Sequence, residues 1–364
     1  MDKQPFVPRY RQIYQDLKKK ISAGEYAPGT QLPFERVLCE QYGVERITIR
    51  RALELLVQDD LIEKRAGLGS FVKGAAEKRA AGSGTVLFIM MNSSNDIRHN
   101  VSAFNASLFF SVEEACREHS FTLLYVGLQP DDDVSQLIAE YDPSGILLIS
   151  TLPDVAIQAA IASRLPTICI NHRDEHLMSI VPDNYAGVGM AIDYLAQLGH
   201  TRIGYIDGLR RSTNATERRA GYRKALFENG LTTCPELIAE GSWTYDGGRE
   251  AMDALLRANQ GDKRPTAVFA ASDMMAIGAM DEIRRQGMNV PEDISVIGFD
   301  NVDMGRFCSP KLTTIGTDMR VMADIAMDHL THLMTKGVSD YDNYTIRLPV
   351  SFVARDSAQH RAGR

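Results

Sequence analysis

Two kinds of side chain in this 364-residue sequence are suited to binding another molecule. Arg46 and Arg50 lie four residues apart, so a helix through them presents both guanidinium groups on one face. An exposed arginine on such a face can bond guanine bidentately, which favours recognition of DNA. Polar residues also follow several apolar runs. Asp300 directly ends the run SVIGF, where a buried carboxylate needs partners, and such positions are candidates for contact with a small ligand.

Common signatures of catalysis and metal binding are missing from the sequence. There is no nucleophile elbow, Walker A loop or HExxH motif. The five cysteines lie far apart, which argues against a disulfide framework and a zinc ribbon. His329 and His332, like His172 and His176, imitate metal-ligand spacing but have no suitably spaced carboxylate or cysteine partner. We therefore expect no enzyme activity, no cofactor and no metal site.

The charge distribution suggests a basic head on an acidic body. The first 80 residues contain 15 Lys and Arg against 11 Asp and Glu, whereas the remainder contains 25 against 36. A basic excess at one end suits a protein of which only that end contacts nucleic acid, although an ordinary solvated surface can carry the same excess. The N-terminus has no apolar signal segment, and the longest apolar run, 86–91, is too short to cross a bilayer. We expect a cytoplasmic protein without a membrane partner.

The elements that would position Arg46 and Arg50 form a small domain, assigned to residues 1–74. Apolar periodicity predicts three amphipathic helices, at 10–23, 34–42 and 47–58. Two short strands then surround a glycine-containing turn, at 61–64 and 70–72. Helix, short turn, helix and a glycine-tipped hairpin predict a winged helix-turn-helix.

The remainder of the chain has a different pattern. Residues 75–84 have no apolar periodicity and are predicted to form a flexible linker. Over 85–364, apolar runs of strand length alternate with helical segments, which predicts parallel sheets covered on both faces. The number of units suits two lobes better than one. The sequence therefore predicts an α/β protein whose larger domain consists of two doubly wound lobes.

Residues 10–72 closely resemble the DNA-binding domain of the GntR family. The resemblance rests on Tyr10-x-x-Ile13, Gly24-x-x-x-Pro28-Gly29, Leu32-Pro33-x-Glu35-Arg36, Gly43-Val44-x-Arg46-x-Thr48-Ile49-Arg50-x-Ala52-Leu53 and Gly67-x-Gly69-Ser70-Phe71-Val72. It implies contact with DNA through Arg36, Arg46, Thr48, Arg50, Arg65, Gly67 and Gly69. One position departs from the family: Glu45 stands where a capping serine is usual. Glutamate caps poorly and repels phosphate, so we expect Glu45 to pair with a neighbouring arginine or to alter which operator is read.

The body resembles the effector domain of the LacI family, which has the periplasmic sugar-binding fold. The resemblance is strong from residue 165 onward and rests on Asn171-x-Arg173, Val181-x-Asp183-Asn184, Leu198-Gly199-His200-x-Arg202-Ile203-Gly204-Tyr205-Ile206-x-Gly208, Arg218-x-Ala220-Gly221-Tyr222, Ala271-Ser272-Asp273, Val290-Pro291-Glu292-Asp293-Ile294-Ser295-Val296-Ile297-Gly298-Phe299-Asp300 and Leu348-Pro349. The combination of the two domains is similar to regulators of the arabinose-repressor type.

The second resemblance implies a ligand held between the two lobes. Arg218 would donate to its polar groups and Asp300 would accept from its hydroxyls on the opposite side, although Asp300 is also compatible with a structural pair or a helix cap. Trp243, the only tryptophan, is expected either to line the pocket or to pack in the core. The other candidate ligand residues are Ser272, Asn214, Asn171, Arg173 and Asp183. Ser272 or Asp273 is expected to cap a helix, with Ser272 the better ligand candidate, and Asp183 or Asn184 to line the cleft or pin the crossing between lobes.

These expectations combine into a ligand-responsive transcription regulator. We expect a repressor of sugar-metabolism genes that binds a palindromic operator as a homodimer and is released by a sugar-type effector. The helix near 319–334 is a candidate for the dimer contact. An activator, a non-sugar ligand, and an enzyme fused to a GntR-type head remain alternatives. A transport binding protein would require a signal peptide, which is missing.

Overall fold

The computed structural model describes residues 9–22, 25–27, 29–58, 61–65, 69–72, 84–91, 103–129, 131–336 and 344–361. The chain divides into two compact units, Met1–Gly84 and Thr85–Arg364. Of the linker predicted at 75–84, only Gly84 lies within the described residues.

The first unit has the predicted winged helix-turn-helix fold. Its elements are helices α1 (Arg9–Ser22), α2 (Glu35–Tyr42) and α3 (Arg46–Gln58), followed by the antiparallel strands β1 (Ile62–Arg65) and β2 (Gly69–Val72). Gly43 ends α2 at a φ of 62°, a left-handed conformation that glycine adopts without strain. The apolar faces of the helices meet in one core that includes Ile13, Leu17, Leu38, Ile49, Leu53 and Leu56.

The second unit contains two lobes, each with a six-stranded sheet. The first-lobe sheet has the order β13-β7-β6-β5-β3-β4 and is parallel throughout. Its strands are β3 (Thr85–Met91), β4 (Thr122–Leu128), β5 (Gly145–Ile149), β6 (Thr167–Ile170), β7 (Met178–Pro182) and β13 (Thr345–Leu348). Its helices are α4 (Ala103–Glu118), α5 (Val134–Tyr141), α6 (Asp154–Ala162) and α12 (Met319–Lys336).

The second-lobe sheet has the matching order β14-β12-β11-β10-β8-β9, with only the edge strand β14 antiparallel. Its strands are β8 (Ile203–Asp207), β9 (Ile238–Glu240), β10 (Ala267–Ala270), β11 (Ser295–Asp300), β12 (Thr313–Gly316) and β14 (Ser351–Val353). Its helices are α7 (Asn184–Gln197), α8 (Thr213–Glu228), α9 (Tyr245–Ala258), α10 (Asp273–Arg285) and the short α11 (Met304–Phe307). The predicted α/β fold with two doubly wound lobes is confirmed.

The chain passes between the lobes three times: from β7 to α7, from β12 to α12, and from β13 to β14. Two of these crossings are tied together, because the backbone N–H of Asp183 donates to the carbonyl of Leu348 over 2.8 Å. The central strands, such as β5, β8 and β11, are buried along their whole length, as expected for sheets covered by helices on both faces. In parallel sheets of this kind, ligands bind at the carboxyl ends of the strands, and candidate residues lie at or just after the ends of β6, β7, β10 and β11.

Candidate functional site

Helix α3 exposes the two arginines that the sequence singles out. Ile49 and Leu53 face the core of the first unit and are almost completely buried. The opposite face carries Arg46 and Arg50, whose side chains are 67% and 53% exposed. Both guanidinium groups are therefore available on one side of a helix that follows a tight turn, which is the geometry of a DNA-reading helix.

One carboxylate contacts both arginines. Oε2 of Glu35, the first residue of α2, lies 2.5 Å from Nε of Arg46 and 3.2 Å from Nε of Arg50. Partial burial acts to raise the pKa of Glu35, but the hydrogen bonds from the two arginines outweigh it and the pKa is lowered. Glu35 is therefore ionised at neutral pH between the two cations. Glu45 is exposed, and its backbone carbonyl accepts from the N–H of Thr48 over 3.0 Å. Both alternatives for its side chain, pairing with an arginine and altering which operator is read, stay predictions.

The other predicted DNA contacts are partly described. The side chain of Arg36 is exposed and pairs with Glu40, one turn along α2, over 3.2 Å. Gly69 begins β2 at a φ of 111°, where a side chain would be strained. Gly67 and the side chain of Arg65 lie outside the described residues.

The effector-site candidates Arg218 and Asp300 are brought together in the second lobe. Nη1 of Arg218, on α8, lies 3.6 Å from Oδ1 of Asp300, at the end of β11, and both side chains are buried. The guanidinium carbon lies 3.6 Å from the ring centroid of Phe299, and Nη1 donates to the carbonyl of Ala271. In the structure the two charges form one buried ion pair, and the ligand contacts assigned to Arg218 and Asp300 stay predictions.

The charges of this pair are strongly influenced by burial. Burial raises the pKa of Asp300 to about 7, and the positive charge of Arg218 opposes that shift. Burial also lowers the pKa of Arg218, against the effect of Asp300. A second buried carboxyl group, that of Asp273, lies nearby and has its pKa raised by burial and by the charge of Asp300. It accepts from the hydroxyl of Thr314 over 2.5 Å and from the N–H of Val302 over 2.8 Å.

Trp243 lies beside the arginine and against the core. Its ring is 5.6 Å from the guanidinium carbon of Arg218, and it packs against the second-lobe core as a partly buried residue. A Cβ at Gly208 would lie 2.0 Å from the indole ring, so only glycine at the end of β8 leaves room for it. The preceding residue, Asp207, is buried and pairs with Arg219. The two alternatives for Trp243, lining the ligand pocket and packing in the core, are therefore compatible with each other.

Asparagines connect this pair to the first lobe. Nδ2 of Asn214, on α8, donates to the backbone carbonyl of Asn171 over 2.9 Å and to its Oδ1 over 2.8 Å. Asn171 follows β6 and donates to the hydroxyl of Ser150, which in turn donates to Asn105. On the other side, Nδ2 of Asn184 donates to Oδ1 of Asn214 over 3.0 Å. A continuous hydrogen-bonded chain thus runs between the lobes.

The same chain includes an ion pair between lobes. Oδ1 of Asn184 accepts from Nε of Arg218 over 2.7 Å, and Nδ2 of Asn184 donates to Glu217 over 2.8 Å. The carboxylate of Glu217 is bound bidentately by Arg347 of β13, over 2.8 and 3.0 Å. Any displacement of Arg218 by a ligand therefore acts on residues that hold the two lobes together.

Three further candidates have other structural contacts. Ser272 caps α10 by accepting from the N–H of Met275 over 3.3 Å, whereas Asp273 is the buried carboxyl group described above. The side chain of Asp183 caps α7 by accepting from the N–H of Ala186 over 3.0 Å, while its backbone N–H ties two crossings together and the side chain of Asn184 bonds Arg218 and Glu217. Arg173 is exposed, and its backbone N–H donates to Thr213. The ligand contacts assigned to Ser272, Asp183 and Arg173 stay predictions.

The sequence interpretation missed several residues of this site. Glu217, Arg347, Ser150 and Asn105 were not singled out, although Ser150 directly follows a strand, as the other candidates do. A structural signal does mark part of the site. Asn171, Trp243, Asp300 and Ser150 have φ values of 56°, 66°, 118° and 56°, a region that non-glycine residues occupy at a cost and that often occurs at functional sites.

Comparison with known proteins agrees with both units. Residues 9–72 match the model of bacterial regulatory proteins of the gntR family, and residues 192–358 match the periplasmic binding protein-like domain. The chain is 35% identical over 221 residues to the HTH-type transcriptional repressor CytR of Escherichia coli strain K12; the match covers 58% of this chain and 63% of CytR, less than two thirds of its length. It is 30% identical over 252 residues to the HTH-type transcriptional repressor PurR of Haemophilus influenzae strain PittEE, covering 66% of this chain and 74% of PurR.

Among solved structures, a LacI family transcriptional regulator from Mycobacterium smegmatis superposes with a TM-score of 0.67 at 26% sequence identity, covering 76% of this chain and 100% of that one. The chain belongs to the LacI family of transcriptional regulators through its body, and it carries a DNA-binding domain of the gntR family in front of it.

Neither a metal-binding cluster nor a membrane-spanning helix occurs within the described ranges. No three His, Cys, Asp or Glu side chains in them come together as a metal site would require. No helix in the same ranges has the length and apolar character needed to span a membrane.

Proposed function

We propose that this protein is a ligand-responsive transcription repressor that leaves its operator when a sugar-type effector binds its body. The observation that carries the proposal is the pair Arg46 and Arg50, both exposed on one side of α3 in a winged helix-turn-helix. Each arginine can bond a guanine bidentately, which contributes about 1–3 kcal/mol of discrimination per base pair. A DNA-binding head with two such arginines supports sequence-specific binding to operator DNA. We also propose that the protein acts in the cytoplasm.

The effector site supports the second half of the proposal. Asp300 offers an acceptor for hydroxyl groups, Arg218 offers donors, and Trp243 offers an aromatic face for sugar C–H groups. Because Arg218 is bonded through Asn184 and Glu217 to the first lobe, ligand contact with Arg218 changes the contacts between the lobes. A change of this kind can transmit binding energy to the DNA-binding heads.

We further propose that the protein acts as a homodimer on a palindromic operator. One head with a single reading helix makes too few contacts for strong binding, whereas two heads on one duplex provide them. We propose regulation rather than catalysis, because the relatives described above are repressors and regulators.

The proposal is tested in two steps with the full-length protein. First, a library of random double-stranded DNA is selected for binding, and we expect a palindromic consensus whose half-sites contain guanine. Second, thermal unfolding is followed in the presence of a panel of sugars and sugar phosphates, and a binder is expected to raise the melting temperature and release the selected DNA. Failure to enrich any sequence would contradict the assignment as a DNA-binding regulator.

A further inference from the structure

Glu35 belongs to the sequence motif by which the DNA-binding head resembles the GntR family. The proposed contacts of Arg46 and Arg50 with DNA leave the role of Glu35 unexplained. It begins α2, the helix that precedes the reading helix, and its side chain is only 24% exposed. The two arginines it contacts are far more exposed. The carboxylate is therefore more deeply buried than the guanidinium groups that it contacts.

The contacts use a specific part of each arginine. Oε2 of Glu35 binds Nε of both Arg46 and Arg50, and Oε1 also lies 3.3 Å from Nε of Arg50. Because the bond is made at Nε, the terminal nitrogens Nη1 and Nη2 keep their donors for an end-on bidentate contact. The carboxylate can therefore remain bound to both side chains while they contact bases.

Two physical effects follow from this arrangement. Arg46 and Arg50 are like charges one helical turn apart, which repel each other, and a shared carboxylate offsets that repulsion. Arginine side chains also lose rotamer freedom when they bind, and a side chain already held in place loses less. In addition, a negative charge beside the arginines weakens their attraction to any phosphate, which is the contact that carries no sequence information.

We propose that Glu35 is a specificity-determining residue of the DNA-binding head: it fixes Arg46 and Arg50 in one register for base contact and disfavours their use as general phosphate contacts. The inference rests on the proposed function, because it concerns how the same helix distinguishes sequences. Glu35 acts through the arginines and is a positioning residue.

The test compares affinities of the full-length protein for two DNA duplexes at one fixed salt concentration. One duplex carries the sequence selected by the wild-type protein from the random library, and the other carries a scrambled version. We expect Glu35→Gln to reduce the ratio of the two affinities by about tenfold, through tighter binding to the scrambled duplex and weaker binding to the selected one. A selection repeated with the variant is expected to give a more degenerate consensus.

Glu54→Gln is the matched control, since it removes one negative charge from an exposed position on α3 itself. It is expected to strengthen binding to both duplexes alike and to leave their ratio within about twofold of wild type, as expected for a phosphate-attraction effect. If the ratio of the two affinities fell equally in Glu35→Gln and Glu54→Gln, the proposal would be overturned, because the loss of one negative charge would then explain the effect.

Glu35→Asp provides a second variant that keeps the charge. Its carboxylate is one methylene shorter and does not reach both Nε atoms, so the affinity ratio is expected to fall as in Glu35→Gln. Circular dichroism and thermal unfolding establish that the variants are folded. A wild-type ratio in either Glu35 variant contradicts the inference, whereas a wild-type protein that selects no sequence contradicts the proposed function itself.

Discussion

Nη1 of Arg218 lies 3.6 Å from Oδ1 of Asp300, with both side chains buried at the carboxyl edge of the second-lobe sheet. A ligand that enters this edge must contact the pair or separate it. Since Arg218 is also bonded to Asn184, a ligand that separates the pair would act on a guanidinium group that also takes part in the contact between the lobes. The first two of the following predictions rest on this ion pair.

Asp300→Asn is expected to weaken effector binding about tenfold to a hundredfold. The substitution keeps the shape of the side chain but replaces an acceptor-only group with a mixed donor and acceptor, and an unsatisfied buried polar group costs about 1–3 kcal/mol. The variant should repress and fail to respond in a reporter assay, and Arg218→Ala should behave similarly. Asp303→Asn, at an exposed aspartate beside α11, is the control and should respond normally. Normal induction in both site variants would place the pocket elsewhere.

The stability of the body is expected to fall as the pH rises from about 4 to about 7. Burial raises the pKa of Asp300 from its ordinary value of 3.8 to about 7, so in this window the folded protein keeps a proton that the unfolded chain has lost. Folding is therefore favoured at the acidic end, and the advantage is lost once the pH passes the folded-state value. Asp273, whose pKa burial also raises, contributes in the same direction. Urea unfolding between pH 5 and 8 measures the slope, which Asp300→Asn should reduce; an unchanged slope would contradict the assignment.

Arg347→Met is expected to destabilise the body by about 1–3 kcal/mol, because it leaves the buried carboxylate of Glu217 without its guanidinium partner. This loss of folding free energy is small for a broken buried ion pair, since the side chain of Arg347 is itself 36% exposed and screened by solvent. Arg210→Met removes a surface pair with Glu240 and is the control, with little expected effect. Equal unfolding midpoints in urea for the two variants would show that the interlobe pair does not stabilise the protein.

Arg50→Ala is expected to reduce affinity for the selected DNA by at least about tenfold while leaving thermal stability and effector binding unchanged. Arg51→Ala is the matched control: Arg51 is the next residue of α3, is exposed, and lies over the ring of Tyr10 rather than beside Glu35. Fluorescence anisotropy with the selected duplex gives both affinities. Equal losses in the two variants would indicate a general charge effect and not a base contact by Arg50.

A fragment that begins at residue 85 is expected to fold, to dimerise and to bind the effector without binding DNA. The basis is the division of the chain into units at Gly84 and Thr85, with separate hydrophobic cores on either side. Analytical ultracentrifugation, thermal unfolding with the effector and a DNA-binding assay test the three parts. An unfolded or monomeric fragment would contradict the proposed architecture.

Local patterns in the sequence are sufficient to predict most of the fold. The helices and strands of the head are determined by apolar residues at helical spacing and by turn glycines such as Gly43, which are short-range properties. The alternation of apolar strands and helices in the body likewise predicts parallel sheets, since parallel strands need a crossover between them. The exposed arginines of α3 follow from the same reasoning, because the core positions Ile49 and Leu53 leave Arg46 and Arg50 on the other face.

Only the tertiary structure decided which side chains meet. Glu35 contacts both Arg46 and Arg50, because the turn after Gly43 folds the start of α2 against α3. Arg218 pairs with Asp300, and Glu217 with Arg347, across large distances in the sequence. Such contacts depend on the packing of α8 against strand ends of two different sheets, and no local periodicity encodes that packing. The sequence thus determines the elements and their polar ends, whereas long-range packing determines the partners.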